Sequence, residues 1–348
     1  MDLTVTGIIV AYFIGMFLIG VYANKKTNDV ADYYVAGRKL GGLFVALVYM
    51  SSLVSAGALV GWTGLASTWG MYFIYAASAV TVATFVCWYF LGSKVMKISR
   101  RLNMLTIPDF VEARYESKKA RLVASIVLIV FMIPLMVSQF KAAGLLLNMI
   151  TGISYNFAVI LFGAIVFLYV AFGGYFAVVY TDVAQGFIMI AGILLLLITA
   201  FVKVGGSPAA QYAALNPAGV ISWPNAGSPI TPAFFLAFLM LNFFGALGAP
   251  NYIRGFYSLK SGKALKQGFT IIISIVVVLE VVIVLLGLYG KVLFPELTEP
   301  DMTIMTMMKQ MLSPIGAGIT LSALAAAMMS TMDSLLINCA STVENDIL

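Results

Sequence analysis

Between Ala325 and Thr342 the chain reads AAAMMSTMDSLLINCAST, an apolar helical stretch that carries Ser330, Thr331, Asp333 and Ser334 without leaving the helical pattern. Ala327, Ser330, Thr331 and Ser334 stand at i, i+3, i+4 and i+7, which is one face of a helix. Hydroxyls, carboxylates and backbone carbonyls are the ligands a hard cation takes. The other reading of a Ser or Thr in such a helix is a bond back to the carbonyl one turn earlier, or to a neighbouring helix. Asp182 and Glu280 also lie in apolar stretches, where acids are costly enough to be functional candidates by default. Asp333 follows Ser330 by three residues, so both can reach one ion. Asp182, in YTDVAQ, reads either as a ligand or as the cap of a helix that starts at the water interface. Glu280 has no sequence-near partner; it is either protonated or paired with Lys141. Lys141 reads as a side chain snorkelling to the surface or as a partner for a substrate carboxylate.

These groups need helices buried in lipid to hold them, and the composition supplies such helices. Of 348 residues, 62% are hydrophobic and 10% charged, with a mean hydropathy of +1.02. A soluble surface needs roughly a quarter of its residues charged, so the class is a polytopic α-helical membrane protein. The apolar runs are long and continuous, unlike the short alternating segments of a β-barrel. Nine spans of sufficient length fall near 5–23, 42–66, 70–93, 120–147, 156–176, 183–203, 232–253, 268–290 and 313–340. The first starts acidic and ends basic, the reverse of a secretory signal, and is kept as a real helix. Cys87 and Cys339 lie inside spans without metal-ligand spacing and read as small core residues. No histidine is present, which removes most zinc, haem and Ser–His schemes.

The net charge of +6 is a topology signal and not a nucleic-acid surface. Sixteen of the twenty Lys and Arg lie in three connections, around 23–39, 92–121 and 254–268. That asymmetry places those connections in the cytoplasm, the N-terminus outside and the C-terminal end of this chain inside. The connection 204–231, rich in Gly, Pro, Ala and Ser, reads as an extracellular cap or hairpin. Two spans look interrupted: the second, with Ser51, Ser52, Ser55, Gly57, Gly61 and Gly64, and the seventh, with Gly245, Gly248 and Pro250. Five spans apart and antiparallel, they stand as matching members of an inverted repeat should, which points to a binding site at the bilayer midplane. Small residues that merely let helices pack closely are the alternative.

VAGRKLGGLFVALVYMSSLVSAGALVGWTG, LTIPDFVEARY, AFGGYFAVVYTDVAQG, GAPNYIRGFYSLKSGKALKQG and AAMMSTMDSLL together resemble the sodium:solute symporter family, over almost the whole chain. Within it the likeness is nearest to sodium/pantothenate symporters, with proline symporters second. The resemblance implies an all-α polytopic membrane protein with a LeuT-like, inverted five-plus-five helix repeat fold and one extra N-terminal helix. In one membrane domain, 1–41 would hold the extra helix and a connection, 42–205 the first repeat, 206–231 an outer loop and 232–348 a second repeat. That second repeat stops after three of its five helices, so the chain is expected to be C-terminally incomplete. Carried over by motif, a sodium ion would be bound by the carbonyls of Ser51, Val54 and Ala327 with the hydroxyls of Ser330 and Thr331. A second sodium position would map to Asp182, Asp333 and Ser334 with Ser330; Asp333 stands where comparable members carry serine. Ser55, Phe73, Gln139, Asn251 and Tyr252 would face the substrate, and Ala58 and Ala77 argue against a sugar.

The expected function is therefore sodium-coupled import of a small organic solute across the cell membrane. The partners are that solute and the lipid bilayer, with no nucleic acid and no protein partner expected, and the protein is not an enzyme. A transporter-like sensor module is the reading from another class, and coupling to protons through Asp182, Asp333 or Glu280 stays open.

Overall fold

The structure, a computed structural model, describes residues 3–27, 29–215 and 230–348. In a bilayer no water satisfies stray amides, so the backbone closes its hydrogen bonds within helices. Helices make up almost all of the described chain, and the single β-contact among those residues is an isolated bridge between Leu40 and Leu259.

The first span is α1 (Leu3–Ala23); a short α2 (Val30–Val35), capped by Asp29, follows. The second span is broken. Its first half, α3 (Gly42–Leu53), stops, Val54 and Ser55 leave the helical path, and a π-helical turn over Gly57–Trp62 leads into α4 (Thr63–Trp69). The third span is α5 (Phe73–Val86), a π-helical turn and α6 (Gly92–Leu102). A capping box of Thr106 and Asp109 starts α7 (Ile107–Tyr115), and Ser117 caps α8 (Lys118–Thr151), the fourth span. Spans five and six form one helical run, α9 (Tyr155–Val204), sharply bent at Gly174. Next come α10 (Pro208–Leu215), and then α11 (Pro232–Gly248) and α12 (Pro250–Ser258), the two halves of the broken seventh span. The eighth span is α13 (Gly262–Leu293), and α14 (Thr303–Met311) connects it to the ninth, α15 (Pro314–Thr342). Proline opens α11, α12 and α15, where its missing amide hydrogen costs nothing.

Seven helical runs among the described residues are long and apolar enough to cross a membrane, against nine spans in the sequence reading. The difference lies at the joints. The bend at Gly174 leaves spans five and six continuous, Gly42–Leu53 is too short to count alone, and Gly57–Leu102 runs from the second span into the third. Gly174 has φ 56° and ψ −145°, a conformation open to glycine alone. A Cβ there would also lie 2.6 Å from Cδ2 of Tyr33.

At the centre stands α15, buried along nearly its whole length and packed against α9, α8, α1 and α3. Around it, α13 packs on α3, α4, α5 and α9, and α11 on α5. The end of the bundle that carries the basic connections is fastened shut. Leu40 donates to the Ser258 carbonyl at 2.9 Å and accepts from Lys260 at 2.9 Å. Arg254, 2% exposed, donates to Asn338 Oδ1 (2.9 Å), the Tyr34 carbonyl (2.9 Å) and Ser341 Oγ, and so ties α12 to α15 and α2. Arg121 pairs with Asp109, Glu112 and Asp346 at 2.6–2.8 Å.

Lys141 is exposed, and Glu280 instead accepts the Thr81 backbone amide at 3.1 Å. Cys87 is buried, Cys339 half-buried, and both are free thiols. Of the connection read as an outer cap, α10 docks through the Tyr212 hydroxyl on the Ser67 carbonyl at 3.1 Å, and 216–229 lie outside the described residues.

Candidate functional site

Helix α3 ends because Val54 (φ −82°, ψ 65°) and Ser55 abandon helical geometry, which leaves the last carbonyls of α3 open to other donors. The hydroxyl face of α15 meets them. Ser330 Oγ donates to the Ser51 carbonyl at 2.9 Å and lies 3.3 Å from the Ala327 carbonyl. Thr331 Oγ1 is 3.1 Å from the Ala327 carbonyl and 3.4 Å from that of Ser52. Four of the five residues expected at the first cation position thus converge, and Val54 sits at the break beside them. The hydroxyls bond back along their own helix, and across to a helix that has come undone.

One turn along α15, the same two helices and α9 build a second cluster. Ser51 Oγ donates to the Asp182 carbonyl at 2.8 Å, and Ser52 and Ser334 hydroxyls lie 3.1 Å apart. Asp182 and Asp333 are both fully buried and near enough for their charges to interact. Tyr169 donates to Asp333 Oδ2 at 2.7 Å, with Thr181 at 3.4 Å. The remaining carboxylate oxygens, Asp182 Oδ1 and Oδ2 and Asp333 Oδ1, meet no hydrogen-bond donor among the described residues. Asp182 is eight residues past the bend at Gly174, inside α9, so it does not cap a helix at a water interface. A buried, ionised carboxylate without a partner costs several kcal/mol, roughly. Two of them with three open oxygens form a donor set that fits a hard monovalent cation. Gln185, one turn beyond Asp182 on the same helix face and fully buried, also leaves its Oε1 unpartnered among the described residues. The sequence reading missed it, although an amide i+3 from an acid in an apolar helix was a usable signal.

Beside the first cluster lies a cavity of about 360 Å³, in the range of small-molecule sites. Ser55, Gln139, Asn251 and Tyr252 line it, as do Asn242 and Trp62; among the described residues no Asp, Glu, Lys or Arg does. Gln139 is 4% exposed with Oε1 unpartnered, and Asn251 is 8% exposed at the N-terminal end of α12, where amide dipoles converge. Phe73 does not line the cavity. It packs with Trp62, Trp69 and Phe238 at ring distances of 5.7–6.4 Å, because α5 begins only after the turn at Gly70. Ser52 and Thr331 belong to both places, contributing to the first cluster and to the cavity wall.

Residues 33–348 match the sodium:solute symporter family. The chain is 33% identical over 351 residues to a sodium/pantothenate symporter of Escherichia coli (strain K12), covering all of this chain and 73% of that one. An osmoregulated proline transporter of Bacillus subtilis (strain 168) is 32% identical over 97% of this chain and 69% of its own. Among solved structures, a substrate-bound, outward-open Na+-coupled sialic acid symporter superposes with a TM-score of 0.87 at 20% identity. That match spans 99% of this chain and 74% of the other. A nucleobase-cation-symport-1 family transporter in a closed conformation gives 0.64 at 14% identity, over 91% and 70% of the two chains. The fold is that of the LeuT-like sodium symporters.

Proposed function

Because the chain belongs to the sodium:solute symporter family, we propose that it uses the sodium gradient to import a small carboxylate-bearing solute, pantothenate before proline. The observation that carries this reading is the pair of buried carboxylates with open oxygens, in a bundle that also holds a solute-sized cavity. Ser51, Val54, Ala327, Ser330 and Thr331 would hold one sodium ion. Asp182, Asp333 and Ser334, with Gln185, would hold a second. The ions are cargo, and coupling passes through Ser52 and Thr331, which serve cation cluster and cavity alike. An ion between α3 and α15 draws the broken segment into place and so orders one wall of the cavity. It drives transport only by favouring one conformation over another.

The cavity wall supports a solute with neutral polar groups and one carboxylate. Side-chain amides of Gln139, Asn242 and Asn251 suit hydroxyl and amide groups, and the N-terminal end of α12 suits the carboxylate. In this reading the basic end of the bundle faces the cytoplasm, the N-terminus lies outside, and residues 42–205 and 232–348 belong to the two inverted repeats. Uptake into vesicles, with sodium and proton gradients imposed separately and pantothenate, proline and short monocarboxylates offered in turn, tests it. Sodium-driven accumulation of pantothenate is expected; accumulation that follows the proton gradient and ignores sodium would overturn the reading.

A further inference from the structure

The first helix lies outside the broken pair, yet it sends one oxygen into the polar interior. Tyr12, 7% exposed, accepts Nε2 of Gln185 at 3.2 Å and donates its own proton to Sδ of Met329 at 3.3 Å. Met329 immediately precedes Ser330, and Gln185 shares a face of α9 with Asp182. Helix α1 also braces Tyr169, the donor to Asp333: a Cβ at Gly20 would lie 2.5 Å from Cβ of Tyr169, so only glycine admits this approach.

A side-chain amide has a donor end and an acceptor end, and only the acceptor end suits a cation. With its NH2 group committed to Tyr12, Gln185 keeps Oε1 as the free end, and Oε1 is the atom without a partner. Reversed, the amide would turn NH2 toward a site that needs oxygen. We propose that α1 is a working part of the ion machinery, with Tyr12 a positioning residue that orients Gln185 so that its oxygen serves the cation held by Asp182 and Asp333. This rests on the sodium reading above and adds to it a helix that the inverted repeats do not contain.

The test is equilibrium binding of radioactive sodium to the purified chain, with choline as the replacement cation, on the parent, Tyr12→Phe, Gln185→Glu and the double variant. Tyr12→Phe should raise the sodium half-saturation about 5-fold, the size of one neutral hydrogen bond. Gln185→Glu presents oxygen whichever way it turns, so Tyr12→Phe placed on it should leave the half-saturation unchanged, which a merely structural role for Tyr12 would not produce. An unchanged half-saturation in Tyr12→Phe, or the full 5-fold rise repeated on Gln185→Glu, overturns the inference and leaves the sodium site standing. A parent without saturable sodium binding overturns the underlying reading instead.

Discussion

The two oxygen clusters on α15 differ in what they do when left alone. In the hydroxyl cluster Ser330 and Thr331 spend their protons on the carbonyls of Ser51, Ser52 and Ala327. Neutral ligands of this kind can idle without an ion, because each hydroxyl turns to the nearest acceptor. The carboxylate cluster can do so only with a proton in the ion's place. Three of its four carboxylate oxygens have no donor, and Tyr169 and Thr181 serve only the fourth. The first cluster therefore suits an ion that comes and goes with conformation, and the second an ion whose departure is expensive. On the proposed reading, coupling falls to Thr331, which lines the cavity, and affinity to the acids.

That contrast can be broken or sharpened by four measurements. The largest effect is expected from Asp182→Asn, which removes a charge from the carboxylate cluster and should weaken sodium binding about 100-fold, near 2.7 kcal/mol. Asp182→Asn with parent-like sodium affinity would erase the distinction. Thr331→Ala should weaken sodium activation of uptake about 10-fold, less than the acid because a neutral ligand is lost. It should also weaken solute binding, since Thr331 lines the cavity, whereas Asp182→Asn at saturating sodium should not. Asn251→Ala is expected to raise the solute half-saturation about 5-fold with sodium dependence intact, as measured by uptake at fixed high sodium. Phe73→Leu, away from the cavity, should change solute half-saturation by less than about 2-fold while lowering the melting temperature, since it loses aromatic packing.

Much of this was legible before any coordinates. Gly and Pro flagged both broken helices because lipid leaves no other tolerable reason to interrupt a hydrogen-bonded helix, and the breaks fall at Val54–Ser55 and at Ala249. Ser330, Thr331 and Asp333 were visible because oxygen stands out in an apolar helix. Tyr12 and Tyr169 were not, since a tyrosine in a membrane span looks like one more apolar side chain until its hydroxyl meets a partner more than 150 residues away. Asp182 read either as a ligand or as a cap at the start of a span; the cap falls away, because α9 runs unbroken through it from the bend at Gly174. Phe73 packs away from the cavity for a related reason. Its direction depends on the positive φ of Gly70, which no periodicity reveals.

The bend at Gly174 gives Asp182 a lever. Eight residues of helix make an arm of about 12 Å, so a swing of about 10° around that single glycine carries the carboxylate about 2 Å. Such a displacement approaches a whole metal–oxygen distance. Small rotations of the distal half of α9 would thus open or close the ion's coordination without unwinding a turn, and stiffening one backbone position would freeze it.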